Sequence, residues 1–399
     1  MKKALELKLQ PMPVVRIGLV GLGRRGMRTL ERYAFIDGAE IKYLLDTDRN
    51  KAEEANAKLN LSGRPEAVIL DGDNAWKKLC RAEDVDLIYI CTDWESHCRL
   101  ALEAMSHGKC VVVEVPAATS VAECWGLVDA VEEYGVHCFM AENCCYDNFA
   151  LATYTMAKEG LFGELTHCEG AYIHDLSESL GIGLHTGNHP LGWMERDCAR
   201  HAGNPYPTHG IGPIGWVLGL HRGDRMKSLV SLTSKGYGKD NLEGRVNSSI
   251  IMTEKGRTVL LQFDITTPRP YSRIQTICGT SGFAQKYPLP TLNHKGGHGV
   301  VDGKKAIAEM EKYMVSPAAK CWKEGRTKKV ENAMNYAMDK RLIHCLRHGL
   351  PLDIDVYDAA EWSCLAELSA VSASQGGTPV EIPDFTRGHW DFLKGHKMY

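Results

Sequence analysis

Gly21-Leu22-Gly23-Arg24-Arg25-Gly26 has the G-x-G-x-x-G spacing with which a backbone cradles phosphate. The hexapeptide alone says little in a chain with 39 glycines. Its setting says more: it follows the apolar run Val14–Val20, opens a helical stretch, and precedes Asp46, which lies 20 residues past Gly26. In such a unit Gly21 permits the tight turn, Gly23 lets the backbone approach a pyrophosphate, and Gly26 allows close helix–strand packing. The helix N-terminus adds amides and a positive dipole. Asp46 would accept hydrogen bonds from an adenosine ribose, and with Asp48 beside it would repel a 2′-phosphate, which favours NAD over NADP. The competing reading is a tight turn with no ligand.

Three further segments end apolar runs and would meet that turn at one sheet edge: Thr92-Asp93-Trp94-Glu95-Ser96-His97, Glu114-Val115-Pro116 and Glu142-Asn143. Ligands of open α/β sheets sit in the crevice at the carboxyl ends of the strands. Thr92, Trp94, Ser96, His97, Glu114, Val115 and Asn143 are therefore expected around a nicotinamide, although Ser96 serves equally well as a helix cap. Histidines at 174, 185, 189, 201 and 209 form neither H-E-x-x-H nor part of a close Cys/His quartet, and no metal is expected. Cys144-Cys145 lies in an apolar run and reads as packing.

The elements that must position these residues alternate in type. Strands are predicted over 14–20, 39–45, 86–91, 110–115 and 137–141, with helices over 51–59, 75–80, 96–107 and 120–134 between them. Parallel strands joined by helical crossovers make a doubly wound (Rossmann) sheet. After a helix near 147–158 come strands without intervening helices, at 165–173, 228–234, 248–253, 258–266 and 273–278, with a hairpin turn at Glu254–Arg257. The expected fold is thus α/β: a nucleotide-binding domain over 1–146, then an α+β domain over 147–399 with a large, mostly antiparallel sheet. A loop-rich insertion over 176–215 and a Gly/Pro/His-rich loop over 282–303 are expected around the site, with helices over 330–347 and 356–372 closing the chain.

Composition excludes several classes. The 399 residues are 44% hydrophobic and 24% charged, with Lys+Arg 47 against Asp+Glu 50 and a net charge of −3. No global field draws such a chain to nucleic acid or anionic lipid, and no run reaches the roughly 18 apolar residues of a membrane span. The N-terminus lacks the apolar core of an export signal, and 14 scattered cysteines fit a reducing compartment, so a cytoplasmic protein is expected.

The N-terminal motifs resemble those of the glucose–fructose oxidoreductase/inositol dehydrogenase (Gfo/Idh/MocA) superfamily. Its ordinary dehydrogenases end the fifth strand in Glu-Lys-Pro, whose lysine assists hydride transfer; here Glu114-Val115-Pro116 has no lysine. Tyr206-Pro207-Thr208-His209-Gly210-Ile211-Gly212-Pro213 followed by Arg222-Gly223-Asp224-Arg225 is similar to the signature of glycoside hydrolase family 109. Trp94–His97, Glu142–Tyr146, Gly170–Asp175 and His201–Asn204 match as well. Members usually carry Arg directly after the Trp preceding this block; here Met194 follows Trp193, with Arg196 nearby. Members often carry an export signal; none is expected here, which would make the natural substrate an imported glycoside or oligosaccharide.

The resemblance implies an NAD-dependent glycosidase for N-acetylgalactosamine-type α-glycosides. The C3 hydroxyl is oxidised, the C2 proton is lost with expulsion of the C1 group, water adds at C1, and the hydride returns to C3. It implies His209 as the base near O3 and C2, with Tyr206 as its partner, and Tyr172 on the leaving-group side. Glu142, Asn143 and Arg196 would orient substrate or nicotinamide, and Tyr287 joins them from the late loop. A sugar or polyol dehydrogenase is the runner-up, and a non-catalytic sugar- or NAD-sensing protein the third reading. A homo-oligomer through the open face of the second sheet is expected, with a small glycoside as the ligand.

Overall fold

Val15–Val20 (β1) is apolar except at Arg16 and Gly18, and it is buried on both faces because helices cover both sides of the sheet it centres. A computed structural model describes residues 4–72, 74–180, 192–238, 240–294 and 299–399. His185, His189 and His298 lie outside the described residues. Ala39–Asp46 (β2), Val68–Asp71 (β3), Leu87–Ile90 (β4), Cys110–Val113 (β5) and Cys138–Met140 (β6) complete a parallel sheet of order β3-β2-β1-β4-β5-β6. The order reverses beside β1, so a crevice opens at the carboxyl edge between β1 and β4. The unanticipated strand is β3, four half-exposed edge residues too short to show a period.

The chain then builds a nine-stranded sheet from Leu165–Ile173 (β7), Met226–Thr233 (β8), Val246–Thr253 (β9), Thr258–Asp264 (β10), Thr276–Gly279 (β11), Phe283–Gln285 (β12), Thr291–Asn293 (β13), Val301–Asp302 (β14) and Val380–Glu381 (β15). Its order is β14-β13-β12-β11-β7-β10-β9-β8-β15, antiparallel except between β7 and β10. The strand expected over 273–278 starts only at Thr276, because Ile274 and Gln275 both turn left-handed at φ 55°. The late loop contains β12 to β14 rather than being irregular throughout.

The insertion is more helical than expected. Trp193–Arg200 and Thr208–Leu218 are helices, and the Tyr-Pro-Thr-His block enters the second of them. That helix is buried at every position, which its glycines permit. A Cβ on Gly170 would lie 2.2 Å from the Gly210 carbonyl oxygen, and one on Gly212 would lie 2.7 Å from the Glu142 side chain. The glycines thus let the helix lie directly on β7 and against Glu142, carrying His209 with it.

The C-terminal helices return to the first sheet. Ala333–His348 packs on β1, and its Asp339 accepts hydrogen bonds from Arg32 (2.9 Å) and Tyr89 (3.2 Å). Val356–Ser363 packs against Val121–Tyr134 and β6. Among the described residues no helix is long and apolar enough to cross a membrane.

Candidate active site

The Gly-rich turn has the geometry its spacing implies. Gly21 sits at φ 85°, and a Cβ there would lie 2.6 Å from the Cys91 carbonyl oxygen. A Cβ on Gly26 would lie 1.9 Å from the Gly21 carbonyl oxygen, so this position tolerates no side chain. Gly23 differs: nothing lies within 4 Å of an added Cβ, and as the N-cap of Arg24–Tyr33 it brings no side-chain cap to the first helical amides. The open face and free amides suit a pyrophosphate. Asp46 ends β2 nearly buried; it accepts from Leu22 N (2.7 Å) and Asp48 N (3.0 Å), so it braces the turn. Asp48 caps the next helix by accepting from Asn50 N at 3.0 Å.

At the other strand ends some expectations change. Asp93, not Ser96, caps Trp94–Ser106, accepting from Ser96 N at 3.0 Å, while the Ser96 hydroxyl donates to Thr92 Oγ1 at 2.7 Å. His97 is buried, with Nδ1 2.8 Å from the Pro116 carbonyl and Nε2 3.2 Å from the Thr92 carbonyl. Desolvation lowers its pKa, so the ring is neutral and its single N–H goes to one of the two carbonyls, the closer being that of Pro116. Val115 is also buried. Glu114 meets Arg25 Nε at 2.7 Å, across the crevice, and this carboxylate raises the guanidinium pKa. Asn143 donates to Asn335 Oδ1 at 2.5 Å, a link between strand end and C-terminal helix that no sequence spacing announces.

His209 is the centre of the second cluster. Its Nδ1 lies 2.8 and 2.9 Å from the two Glu142 oxygens, and its Nε2 lies 3.2 Å from the Tyr206 hydroxyl. Burial works against an imidazolium here, but Cys144 and Glu142 outweigh it and raise the pKa to about 10. Burial likewise opposes the Glu142 carboxylate, and His209 prevails, lowering its pKa. The pair is therefore ionised at neutral pH: Nδ1–H donates to Glu142 and Nε2–H to the Tyr206 oxygen. The Tyr172 hydroxyl lies 3.1 Å from His174 Nδ1, and its ring meets those of Tyr206 (5.0 Å) and His209 (5.4 Å) edgewise or tilted.

Two chains of aromatic rings leave this centre. One runs from Tyr206 to Trp94 (stacked, 5.6 Å) and on to Trp193 (5.3 Å), so Trp94 links the strand-end segment after β4 to the His209 cluster. The other runs from Tyr172 through His174 and Tyr271 (5.0 Å) to Tyr287 (5.9 Å), which brings Tyr287 into the site wall. Tyr271, Asn335 and Arg273 were not anticipated, and His174 was signalled only by the matching segment Gly170–Asp175 and by the alternation that sets it on one face with Tyr172. Met194 packs into the Trp94–Tyr172–Tyr206 cluster, while Arg196 is exposed on its helix, away from the apolar face that Met194 provides. Cys144, expected to be mere packing, has its sulfur within 4.8 Å of donor atoms of both Glu142 and His209.

Comparison with known proteins agrees with this geometry. Residues 15–142 match "Oxidoreductase family, NAD-binding Rossmann fold", and residues 146–243 and 240–392 match "Glycosyl hydrolase 109, C-terminal domain". A family 109 protein of Phocaeicola vulgatus is 50% identical, covering 97% of this chain and 98% of that protein. An α-N-acetylgalactosaminidase of Bacteroides fragilis is 48% identical, covering 97% and 95%. Among solved structures, the fold is shared with an oxidoreductase domain protein from Kribbella flavida (TM-score 0.71, 18% identity, 94% of this chain and 100% of that one). It is also shared with a Lactobacillus casei myo-inositol dehydrogenase in complex with NAD(H) and myo-inositol (TM-score 0.65, 17% identity, 94% and 99%). A dinucleotide turn, a buried histidine–glutamate pair and near full-length kinship lead to one conclusion: this chain belongs to glycosyl hydrolase family 109.

Proposed function

We propose that the protein is a glycosidase that uses NAD without consuming it and cleaves N-acetylgalactosamine-type α-glycosides. The observation that carries this reading is the His209–Glu142 pair, opening through Tyr206 beside a dinucleotide crevice whose Glu114-Val115-Pro116 edge has no lysine. The 48% identical α-N-acetylgalactosaminidase supports the choice of sugar and linkage. Asp46 at the end of β2 supports NAD over NADP, since a 2′-phosphate would meet its carboxylate.

When bound, the nicotinamide supplies reversible oxidation at the sugar's C3. The protein's own groups handle the protons. Glu142 fixes Nδ1–H of His209, so it is Nε2, in the form of the ring that has shed its second proton, that takes a proton from O3 and, once that proton has been released, one from C2. The Tyr206 hydroxyl, partly exposed, relays each proton to solvent, taking one from Nε2 as it gives up its own. Tyr172, oriented by His174, protonates the departing oxygen. Trp94, Tyr287 and Tyr271 wall the sugar from water.

The test uses the protein as purified with p-nitrophenyl α-N-acetylgalactosaminide. Release of p-nitrophenol with no build-up of reduced nicotinamide is expected. Steady reduced nicotinamide with the glycosidic bond intact would make the protein a net dehydrogenase instead.

The open face of the second sheet supports self-association: Val230, Leu232, Ile250, Met252 and Leu260 share it, with Leu232 and Ile250 exposed. Fourteen unpaired cysteines support a cytoplasmic location.

A further inference from the structure

The loop between β10 and β11 is tied to the site at unusual cost. Ser272 exchanges backbone hydrogen bonds with Ile173, and the Arg273 carbonyl accepts from Ala171 N at 2.9 Å, so the loop clasps β7 on both sides of Tyr172. Ile274 and Gln275 then both adopt φ 55°, a region that β-branched Ile disfavours strongly. Their carbonyls receive Tyr287 N (3.3 Å) and Lys286 N (3.1 Å), which seats Tyr287 against Tyr271.

This folding delivers two cations to one carboxylate. Arg273 Nη2 reaches Asp147 at 3.1 Å and Lys286 Nζ reaches it at 2.6 Å. Arg273 is 4% exposed, and its Nε has no partner. The Lys286 ammonium also lies 5.1 Å from the centre of the Tyr287 ring. Two positive groups against one negative leave one net positive charge behind the tyrosine wall. The neighbours whose charge acts on Arg273 are Cys144, Asp147, Tyr271 and Tyr287, and Asp147 is the carboxylate among them. The other charged pairs of the site, His209 with Glu142 and Arg25 with Glu114, are neutral overall. An excess buried charge costs stability unless something of opposite sign arrives to use it.

We propose that the Arg273–Asp147–Lys286 group stabilises the negative charge that develops on the substrate as its C2 proton is lost. The inference rests on the glycosidase reading above. In that step the base takes the proton from C2, the C–H electron pair moves toward the C3 carbonyl oxygen, and its return forms the C1–C2 double bond as the C1–O bond breaks. The leaving oxygen takes a proton. Between these events the substrate carries an extra negative charge, which a fixed cation in a water-poor site stabilises without reorganising. Arg273 and Lys286 act across Tyr271 and Tyr287, so they are positioning groups.

The experiment compares Arg273→Met, Lys286→Met and Arg273→Lys with the wild type, each checked for cofactor content and melting temperature. Substrates carrying deuterium at C2 or at C3 supply the readout. Each methionine variant removes the net charge by a different route. Both should lose roughly tenfold or more in kcat with KM nearly unchanged. In both, the C2 isotope effect should rise and the C3 effect should shrink, while Arg273→Lys retains most activity. Wild-type isotope effects in both methionine variants would overturn the proposal. So would a loss confined to Arg273→Met that Arg273→Lys does not restore, because architecture rather than charge would then be at stake. A wild type showing no C2 isotope effect and no solvent hydrogen at C2 of the product would instead overturn the glycosidase reading.

Discussion

In the proposed mechanism His209 concentrates the chemistry in one ring. Its pKa of about 10, against the ordinary 6.5, means the free enzyme holds a proton on the nitrogen that must accept one. With a raised pKa the base form grows as pH rises, so kcat/KM should climb from neutral pH toward about 10. Glu142→Gln removes a partner that favours the cation, and the rising limb should move to lower pH; an unmoved limb would show that Glu142 does not set it. His209→Ala should lower turnover by ~100-fold or more while cofactor content is unchanged, as measured on the purified variant. The same shift affects stability. The pair's contribution is complete below about 6.5 and fades as pH rises through about 10, where the imidazolium gives up its proton. From sequence, His209 was one histidine among several, distinguished only by family resemblance. That Glu142, 67 residues earlier, would be its partner depended on a glycine helix lying on β7.

At the scale of elements, the Gly-rich turn separates folding from binding. Gly26→Ala places a methyl group 1.9 Å from a carbonyl oxygen, so the turn must open, and the variant should unfold at lower temperature and lose cofactor together. Gly23→Ala meets no atom within 4 Å, so melting without cofactor should stay within about 2 °C of the wild type. Its NAD affinity, read by titration, should fall about tenfold, because the methyl group occupies the phosphate approach. A normal affinity in Gly23→Ala would remove the dinucleotide from that face. Trp94 is the comparable element on the opposite side: 5% exposed, stacked on Tyr206 and capped by Trp193. Trp94→Ala should cost about 3–5 kcal/mol in denaturant unfolding, the usual range for a buried aromatic.

The whole molecule is clasped by a second charged cluster, just past the C-terminal end of the helix that carries His209. His221 Nδ1 lies 2.7 Å from Glu361, its Nε2 lies 2.9 Å from Asp358, and Arg222 reaches Asp355 (2.9 Å) and Asp358 (2.8 Å). The cluster joins the turn before β8 to the Val356–Ser363 helix, which itself packs on the first sheet. Burial opposes the His221 imidazolium, yet Asp358 and Glu361 raise its pKa to about 9. Its stabilisation is therefore full below about 6.5 and declines as pH rises through about 9, so melting temperature should drop between neutral pH and 10. His221→Gln leaves buried carboxylates short of a cation and should cost about 3–5 kcal/mol at neutral pH. It should also flatten part of that alkaline decline; an unchanged slope would locate the titrating group elsewhere.

The sequence by itself determined the first sheet apart from its edge strand β3, the dinucleotide turn and, to within a few residues, the ends of many elements, because these depend on local rules. Strand runs, caps such as Ser120 and Asp147, and glycine spacing act within a few residues of one another. Family resemblance added His209, Tyr206 and Tyr172 as names without geometry. Tertiary structure alone decided which side chains face one another: Asn143 with Asn335, Arg25 with Glu114, Met194 inward with Arg196 exposed, and Arg273 with Lys286 on Asp147. Such pairs lie up to 192 residues apart along the chain. Their meeting is fixed by how two sheets and the returning helices pack, and no local pattern encodes that.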